Sequence, residues 1–215
     1  MPKTSPVVRP IALAGALALL VAGCGPRARP LVGAPAPAVL PRAELPAGRQ
    51  RYDFRWEYED GDLLVRGDGV ARTAAPDSVR LDFFLDGGMG GGYALLLGQE
   101  LIVPGGDQVR RLLPPPPLLW ASLGRLAVPP ASDTIARVDA GTLRADIGRD
   151  PTWRASFDGQ RLARLERIVD GRVAEWLVRD PDRVRYLHTT SRRALTLTKL
   201  RVQPAAEFDA TIWDH

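Results

Sequence analysis
Cysteine and histidine are nearly missing from this chain of 215 residues: Cys24 is the only thiol, and His188 and His215 are the only imidazoles. One thiol excludes a disulfide within the chain, whatever compartment holds it. Two imidazoles do not make a metal cluster. His188 falls at the end of an expected strand and reads as a structural or surface residue, and His215, the last residue, as a frayed end. Gly-x-Ser-x-Gly is absent, and the glycine run at 87–92 neither precedes Lys-Ser/Thr nor opens a helix, which removes the nucleophile elbow and the phosphate loop. Acidic residues are plentiful but alternate with arginines, and no pair can be placed across a substrate. No enzyme activity is expected, and no metal or organic cofactor. Also lacking is an apolar run of the roughly 20 residues that a spanning helix needs; the longest, Ile11 to Val21, is about half that length.

That short run is informative by its setting. Lys3 and Arg9 form a cationic region before it, and Val21-Ala22-Gly23-Cys24 closes it. This is the pattern of an export signal ending in a lipobox: small residues ahead of Cys24 give a signal peptidase access to the backbone, and the thiol accepts a diacylglycerol. An ordinary signal peptide with an incidental cysteine is the alternative. Acylation of Cys24 accounts for an exported chain keeping a single thiol. Each buried methylene contributes ~0.8 kcal/mol and two or more chains anchor stably, so palmitate-class chains on Cys24 would hold the mature protein to a membrane that it does not span. Residues 1–23 are then the signal peptide.

The formal charge of +4 falls to +2 when Lys3 and Arg9 leave with the signal. The basic character therefore reflects arginine in place of lysine rather than a large cationic excess. Arg72, Arg80, Arg144, Arg154, Arg164 and Arg185 are spread among acids and apolar residues, which fits a solvated strand face better than an anion-binding patch, and no nucleic-acid partner is expected. Residues 24–49 carry the lipidated terminus and then Pro, Ala, Gly and Arg without period, which reads as an extended tether. Residues 50–215 have the usual size of one domain with one core.

Tyr52, Phe54, Trp56 and Tyr58 alternate with Asp53, Arg55, Glu57 and Glu59, the period of two that gives a strand one apolar face. Asp60-Gly61-Asp62 reads as a hairpin turn. Leu63 to Arg72 follows as a strand in which Gly67 and Gly69 point to a bend or bulge. Val79 to Leu85, Tyr93 to Leu97 and Leu101 to Val103 are further strands, and Arg110 to Leu113 is one more before the rigid Pro114 to Pro117. Leu118, Leu119, Trp120, Leu123, Leu126 and Ala127 then recur at helical spacing and predict one amphipathic helix closing near Pro129. Strands resume at Leu143 to Ile147, Thr152 to Phe157, Arg161 to Val169, Val173 to Arg179, Val184 to His188 and Ala194 to Val202. Asp158-Gly159 and Asp170-Gly171 between them are strong hairpin signals. The expected class is mainly β (α+β), and a sheet of about ten strands with so few helices must curl to keep its apolar face from water.

The lipobox and tether, the opening strand, the successive hairpins, the Leu118 to Ala127 helix ahead of a second meander and the terminal Leu195 to Val202 strand together resemble the periplasmic lipoprotein-localisation carriers and receptors of the LolA and LolB type, with their mycobacterial relatives. The resemblance covers roughly Tyr52 to Trp213. It implies a strongly curved antiparallel sheet forming an unclosed half-barrel with one or a few lid helices, and an apolar cavity between them that holds acyl chains. Pro30 to Gly48 is too rich in proline for the amino-terminal helix usual in the family, so the lid should be thin.

Under that resemblance the cavity candidates are Phe54, Trp56, Leu81, Phe83, Leu85, Trp120, Leu123, Trp153 and Phe157. Core packing is the default for such residues, and in a half-barrel the inward face serves as both core and cavity wall. Receptors of the family also present a hydrophobic residue on a loop after the third strand, and Met89 stands at that place. Flanking glycines would leave it free to dip into a bilayer or pass an acyl chain. The same loop also reads as a hairpin connection in which the methionine has no role.

The resemblance thus implies a membrane-anchored, monomeric lipoprotein that binds or transfers acylated molecules, lipids or lipidated proteins, at the cell envelope. The rival is a structural or interaction lipoprotein of the same shape whose groove is filled by its own side chains. Gly25 after Cys24 favours, by the sorting habit of some bacteria, the outer membrane facing the periplasm.

Overall fold
Alternating apolar and charged residues need a sheet with one dry and one wet face, and the structure, a computed structural model, folds nearly the whole alternating stretch into one. It describes residues 25–88, 90–104 and 107–214; the signal segment, Cys24 and Met89 lie outside the described residues. In chain order the strands are β1 (Ala34–Ala36), β2 (Arg49–Asp60), β3 (Leu63–Ala74), β4 (Ser78–Leu85), β5 (Gly91–Leu97) and β6 (Glu100–Ile102). Two short helices follow, α1 (Asp107–Leu112) and α2 (Pro116–Ser122). The second series is β7 (Thr134–Asp139), β8 (Thr142–Ile147), β9 (Thr152–Asp158), β10 (Arg161–Val169), β11 (Arg172–Arg179), β12 (Arg183–His188) and β13 (Arg193–Ala205), before a closing 3-10 turn at Ala210–Trp213.

All thirteen strands belong to one sheet, ordered β1-β7-β8-β9-β10-β11-β12-β13-β2-β3-β4-β5-β6. Every pairing is antiparallel, and β1 and β6 are left as open edges. Two meanders, β2 to β6 and β7 to β13, are joined where β13 runs beside β2, from Ala194 opposite Glu59 to Ala205 opposite Arg49. The chain leaves one edge at β6 and reaches the far side at β7, the strand next to the β1 edge, by crossing the concave face through α1 and α2. This is the unclosed, mainly β half-barrel with a thin helical lid.

Its concave face is apolar: Phe54, Trp56, Tyr58, Val79, Leu81, Leu96, Phe157, Leu165, Leu177 and Leu195 form one buried cluster with Leu118, Leu119 and Trp120 of α2. The convex face pairs its arginines with acids. Arg72 and Arg80 meet Asp82, Arg154 meets Asp146 at 2.6 Å, and Arg164 meets Glu166 at 2.7 Å. Those arginines lie on the outward face that the alternation predicts, but they are half-buried against their acids rather than solvated.

Several expectations are corrected. Arg110 to Leu113 is not a strand: Arg110, Arg111 and Leu112 end α1. A four-residue run has no resolvable period, and its arginines and leucines are good helix formers. The second helix stops at Ser122 rather than at Ala127. Gly124 takes φ +93°, and the amides of Gly124 and Arg125 donate to Ala121 and Trp120 (both 3.0 Å), so a left-handed glycine closes the helix early. Leu126 and Ala127 continue in extended chain, where the Leu126 amide donates to Ala43.

Gly67 and Gly69 mark no bulge, since β2–β3 and β3–β4 stay in register past them. Gly69 instead admits an aromatic ring, for a Cβ there would stand 2.4 Å from Phe54. The register shifts fall in β10 and β13, at Leu162/Arg164, Arg167/Ile168 and Lys199/Arg201. β7 escaped the strand pattern because it is near the edge, with Ile135 and Val138 exposed. The proline-rich stretch expected to stand off as a tether lies against the sheet instead. Ala34–Ala36 pairs with β7, the Ala28 amide donates to Gly171, and Ala43 and Leu45 are buried. Proline suits this role at an edge, where its missing N–H breaks no ladder.

Candidate ligand cavity
Successive inward residues of β2, from Tyr52 to Tyr58, run along the floor of two voids left between the concave face and the helices. The wider void, about 580 Å³, is lined by Trp56, Tyr58, Phe83, Leu85, Leu112 and Leu195, with Leu63 and Gly90–Gly92 at its rim. The narrower, about 90 Å³, is lined by Tyr52, Phe54, Leu81, Leu119, Leu123 and Leu197, with Arg179 and the Asp180–Asp182 turn at its edge. Phe83, Leu113 and Leu195 line both voids. Phe83 is the partition, held edge-on by Phe54 (ring centroids 5.8 Å apart) and Trp56 (5.9 Å). Trp56 is itself fixed by donating from Nε1 to the Asp68 carbonyl at 3.0 Å.

Phe54, Trp56, Leu81, Phe83, Leu85 and Leu123 thus stand on these cavity walls. Trp120, Trp153 and Phe157 line neither and are closed into the core of the other half. Trp120 is fully buried on α2, donates from Nε1 to Gly98 at 2.6 Å, and carries the Arg125 guanidinium 4.5 Å above its ring. Leu113, Leu195, Tyr52 and Arg179 are wall residues that the sequence reading did not name. Tyr52, Leu195 and Arg179 fall on the inward phase of expected strands, a signal that could have found them.

Polar groups are few on this face and mostly satisfied. Glu175 is buried in β11, accepts from the Tyr186 hydroxyl at 2.7 Å and from Arg167 at 3.0 Å. Burial first, and then the Glu175 charge, raise the Tyr186 phenol far above its ordinary range. Tyr58 donates to Asp60 at 3.2 Å, and burial followed by the Asp60 charge raises it as well. At the wide end Leu63 and Leu85 are exposed at the mouth beside Asp60 and Arg111, while the exposed Leu64 and Phe84, opposite Glu59 and Asp68, belong to the convex face.

His188 ends β12 as a half-buried residue, its Nδ1 facing the Ser191 amide and hydroxyl. Among the described residues no three His, Cys, Asp or Glu side chains are grouped to hold a metal, and no helix is long and apolar enough to cross a membrane.

A crystal structure of a LolA superfamily protein from Nitrosomonas europaea superimposes with a TM-score of 0.52 at 11% identity, over 80% of this chain and 92% of that one. The fold is LolA/LolB-like. A DUF1329 family protein from Desulfovibrio piger follows at TM-score 0.49 and 8% identity, covering 79% and 90% of the two chains. A candidate outer membrane lipoprotein-sorting domain from Vibrio parahaemolyticus stands at 0.49 and 6%, covering 78% and 89%. The first carries the fold comparison. No protein-family model matches the sequence, and no curated protein matches it. The LolA/LolB-like half-barrel is thus visible in backbone geometry and not in sequence identity.

Proposed function
We propose that this protein is a lipid-anchored envelope lipoprotein that binds or transfers acylated molecules, lipids or lipidated proteins, in the cavity of its half-barrel, without catalysis. The observation that carries the reading is the pair of apolar voids in line along β2 under the helices. A sheet that could have been filled with larger side chains leaves this space, and sheltering chain surface there gives ~25 cal/mol per Å² without directional contacts. The exposed Leu63 and Leu85 at the wide end offer an apolar approach for a chain leaving a bilayer, with Met89 on the adjoining loop as the transfer residue. Cys24 is the anchor and the outer membrane, facing the periplasm, the location; the protein acts as a monomer. The LolA superfamily likeness supports the container shape.

The test is native mass spectrometry with lipid extraction on the mature chain from Gly25, purified without detergent. Starting there keeps β1 and the buried Ala43 and Leu45. Lipid released only on unfolding is the expected result. A protein that arrives empty and also refuses a fluorescent fatty acid is the structural lipoprotein instead.

A further inference from the structure
We infer that the narrow end of the cavity is a headgroup site for a singly charged oxyanion carried on an acyl chain, a fatty-acid carboxylate or a phosphodiester, and that Arg179 and Tyr52 hold it. The inference rests on the lipid-binding reading above.

Arg179 closes the inward phase Val173, Glu175, Leu177, Arg179 of β11, so its side chain is directed onto the apolar face and lines the narrow void. Its guanidinium lies flat against Gly124 at the end of α2, where a Cβ would come within 3.1 Å of its carbon. Among the inward-facing arginines Arg167 is matched with Glu175, whereas Arg125 on the C-terminal side of α2 keeps a buried nitrogen without a partner. Arg179 has no acid partner: no carboxylate of the described residues lies within 4.0 Å, and its guanidinium donates no hydrogen bond among them.

Its neighbours are already committed. Arg161 binds Asp158 at 2.8 Å and the Arg179 carbonyl at 3.2 Å, and the Lys199 ammonium binds the Pro181 carbonyl. Tyr52 lines the same void, and its hydroxyl has no hydrogen-bond partner among the described residues, whereas those of Tyr58 and Tyr186 are both bonded to carboxylates. Burial lowers the proton affinity of Arg179, and the nearby Arg161 lowers it further; burial raises Tyr52, with Arg179 pulling the other way. A half-buried cation with another cation beside it and no carboxylate within 4.0 Å is held at a cost that an arriving anion removes.

The same opening carries Asp180 and Asp182 against Arg183 and Lys199, so that Arg179 leaves it one net positive charge. Two carboxylates oppose a dianion, which selects a ligand of single charge. From the Arg179–Tyr52 pair an acyl chain would run past Phe54 and Leu81 to Phe83, whose ring must turn aside to admit it to the wider void.

Displacement of the neutral dye N-phenyl-1-naphthylamine from the mature chain tests this, with palmitate, lysophosphatidylglycerol and hexadecanol as competitors below their micelle concentrations. One or both anions should compete better than the alcohol, and whichever does names the source of the charge. Arg179→Gln should weaken the anion about tenfold, the weight of a charge-assisted hydrogen bond, and leave hexadecanol unchanged. Arg179→Lys should recover part of the loss, and Tyr52→Phe, which keeps the ring, should cost about threefold. If the alcohol and the anions bind equally and neither Arg179→Gln nor Tyr52→Phe changes the anion, the headgroup site is wrong while the carrier reading stands. If the wild type takes up neither dye nor alcohol, the carrier reading fails and takes this site with it. Should Arg179→Gln not fold, Tyr52→Phe decides alone.

Discussion

The two halves of the sheet carry the same alternating pattern but are finished differently. On β9 to β11 the inner face under α2 is filled, with Phe157, Leu162, Leu165 and Leu177 at most 1% exposed and Leu118 and Trp120 of α2 at 0%. The opening left beside it, at Arg167, Glu175 and the prolines before α2, is polar. On β2 to β4 and β12 to β13 the inner residues Tyr52, Phe83, Val184 and Leu197 are only partly buried and face the two voids. A helix of seven residues cannot cover thirteen strands. Where α2 packs on β10 and β11 the half-barrel has a core; at its C-terminal end and beyond it, over β2 to β4 and β12 to β13, the half-barrel keeps open space.

Breaking the filled half should have the largest effect. Phe157→Ala opens a cavity in a closed core and should cost about 3–5 kcal/mol in urea unfolding. Phe83→Ala, made against space that already exists, should cost only about 1–2 kcal/mol and at the same time join the two voids, so that bound lipid in native mass spectrometry shifts to longer chains. Equal losses from the two variants would erase the distinction between the halves.

The polar group where the halves meet sharpens the comparison through pH. Tyr186 is raised above the ordinary phenol value of 10.0 by burial and then by Glu175, so the folded state keeps it neutral while the unfolded chain ionises near that value. Its contribution is complete below about pH 10 and is lost as pH rises towards the folded value. Tyr186→Phe should therefore flatten the alkaline fall in stability, measured by urea unfolding across pH 8 to about 11. A slope as steep as in the wild type would show that Tyr186 does not report this contact. On the convex face of the container half, Arg55 and Asp68 are 3.4 Å apart and largely exposed. Asp68→Ala should change stability by less than about 0.5 kcal/mol.

Most of the strands were legible because alternation and Asp-Gly turns are local. Tyr52 to Tyr58, the hairpins after Asp158 and Asp170, and the inward phase of Phe54, Trp56 and Leu81 needed no knowledge of partners. Less legible was anything decided by neighbours. The Ala34–Ala36 strand exists only because β7 lies beside it, and Arg110 to Leu113 turned helical where the chain crosses the concave face. The sequence also carried two overlooked local signs: Gly124, which ends α2, and the Ala140-Gly141 turn, with φ 47° and 80°, which sets the β7–β8 hairpin.

The sequence by itself determined the strand periodicity, the wet and dry faces and the thinness of the lid, since each follows from side-chain spacing and proline content within a few residues. Only the tertiary structure decided which inward aromatics became core and which became wall. Phe83 and Phe157 look alike in sequence, both apolar and both on the inward phase. Their fates part because a cavity is the volume left over after a distant helix has packed, and that volume is a property of the whole arrangement rather than of any segment.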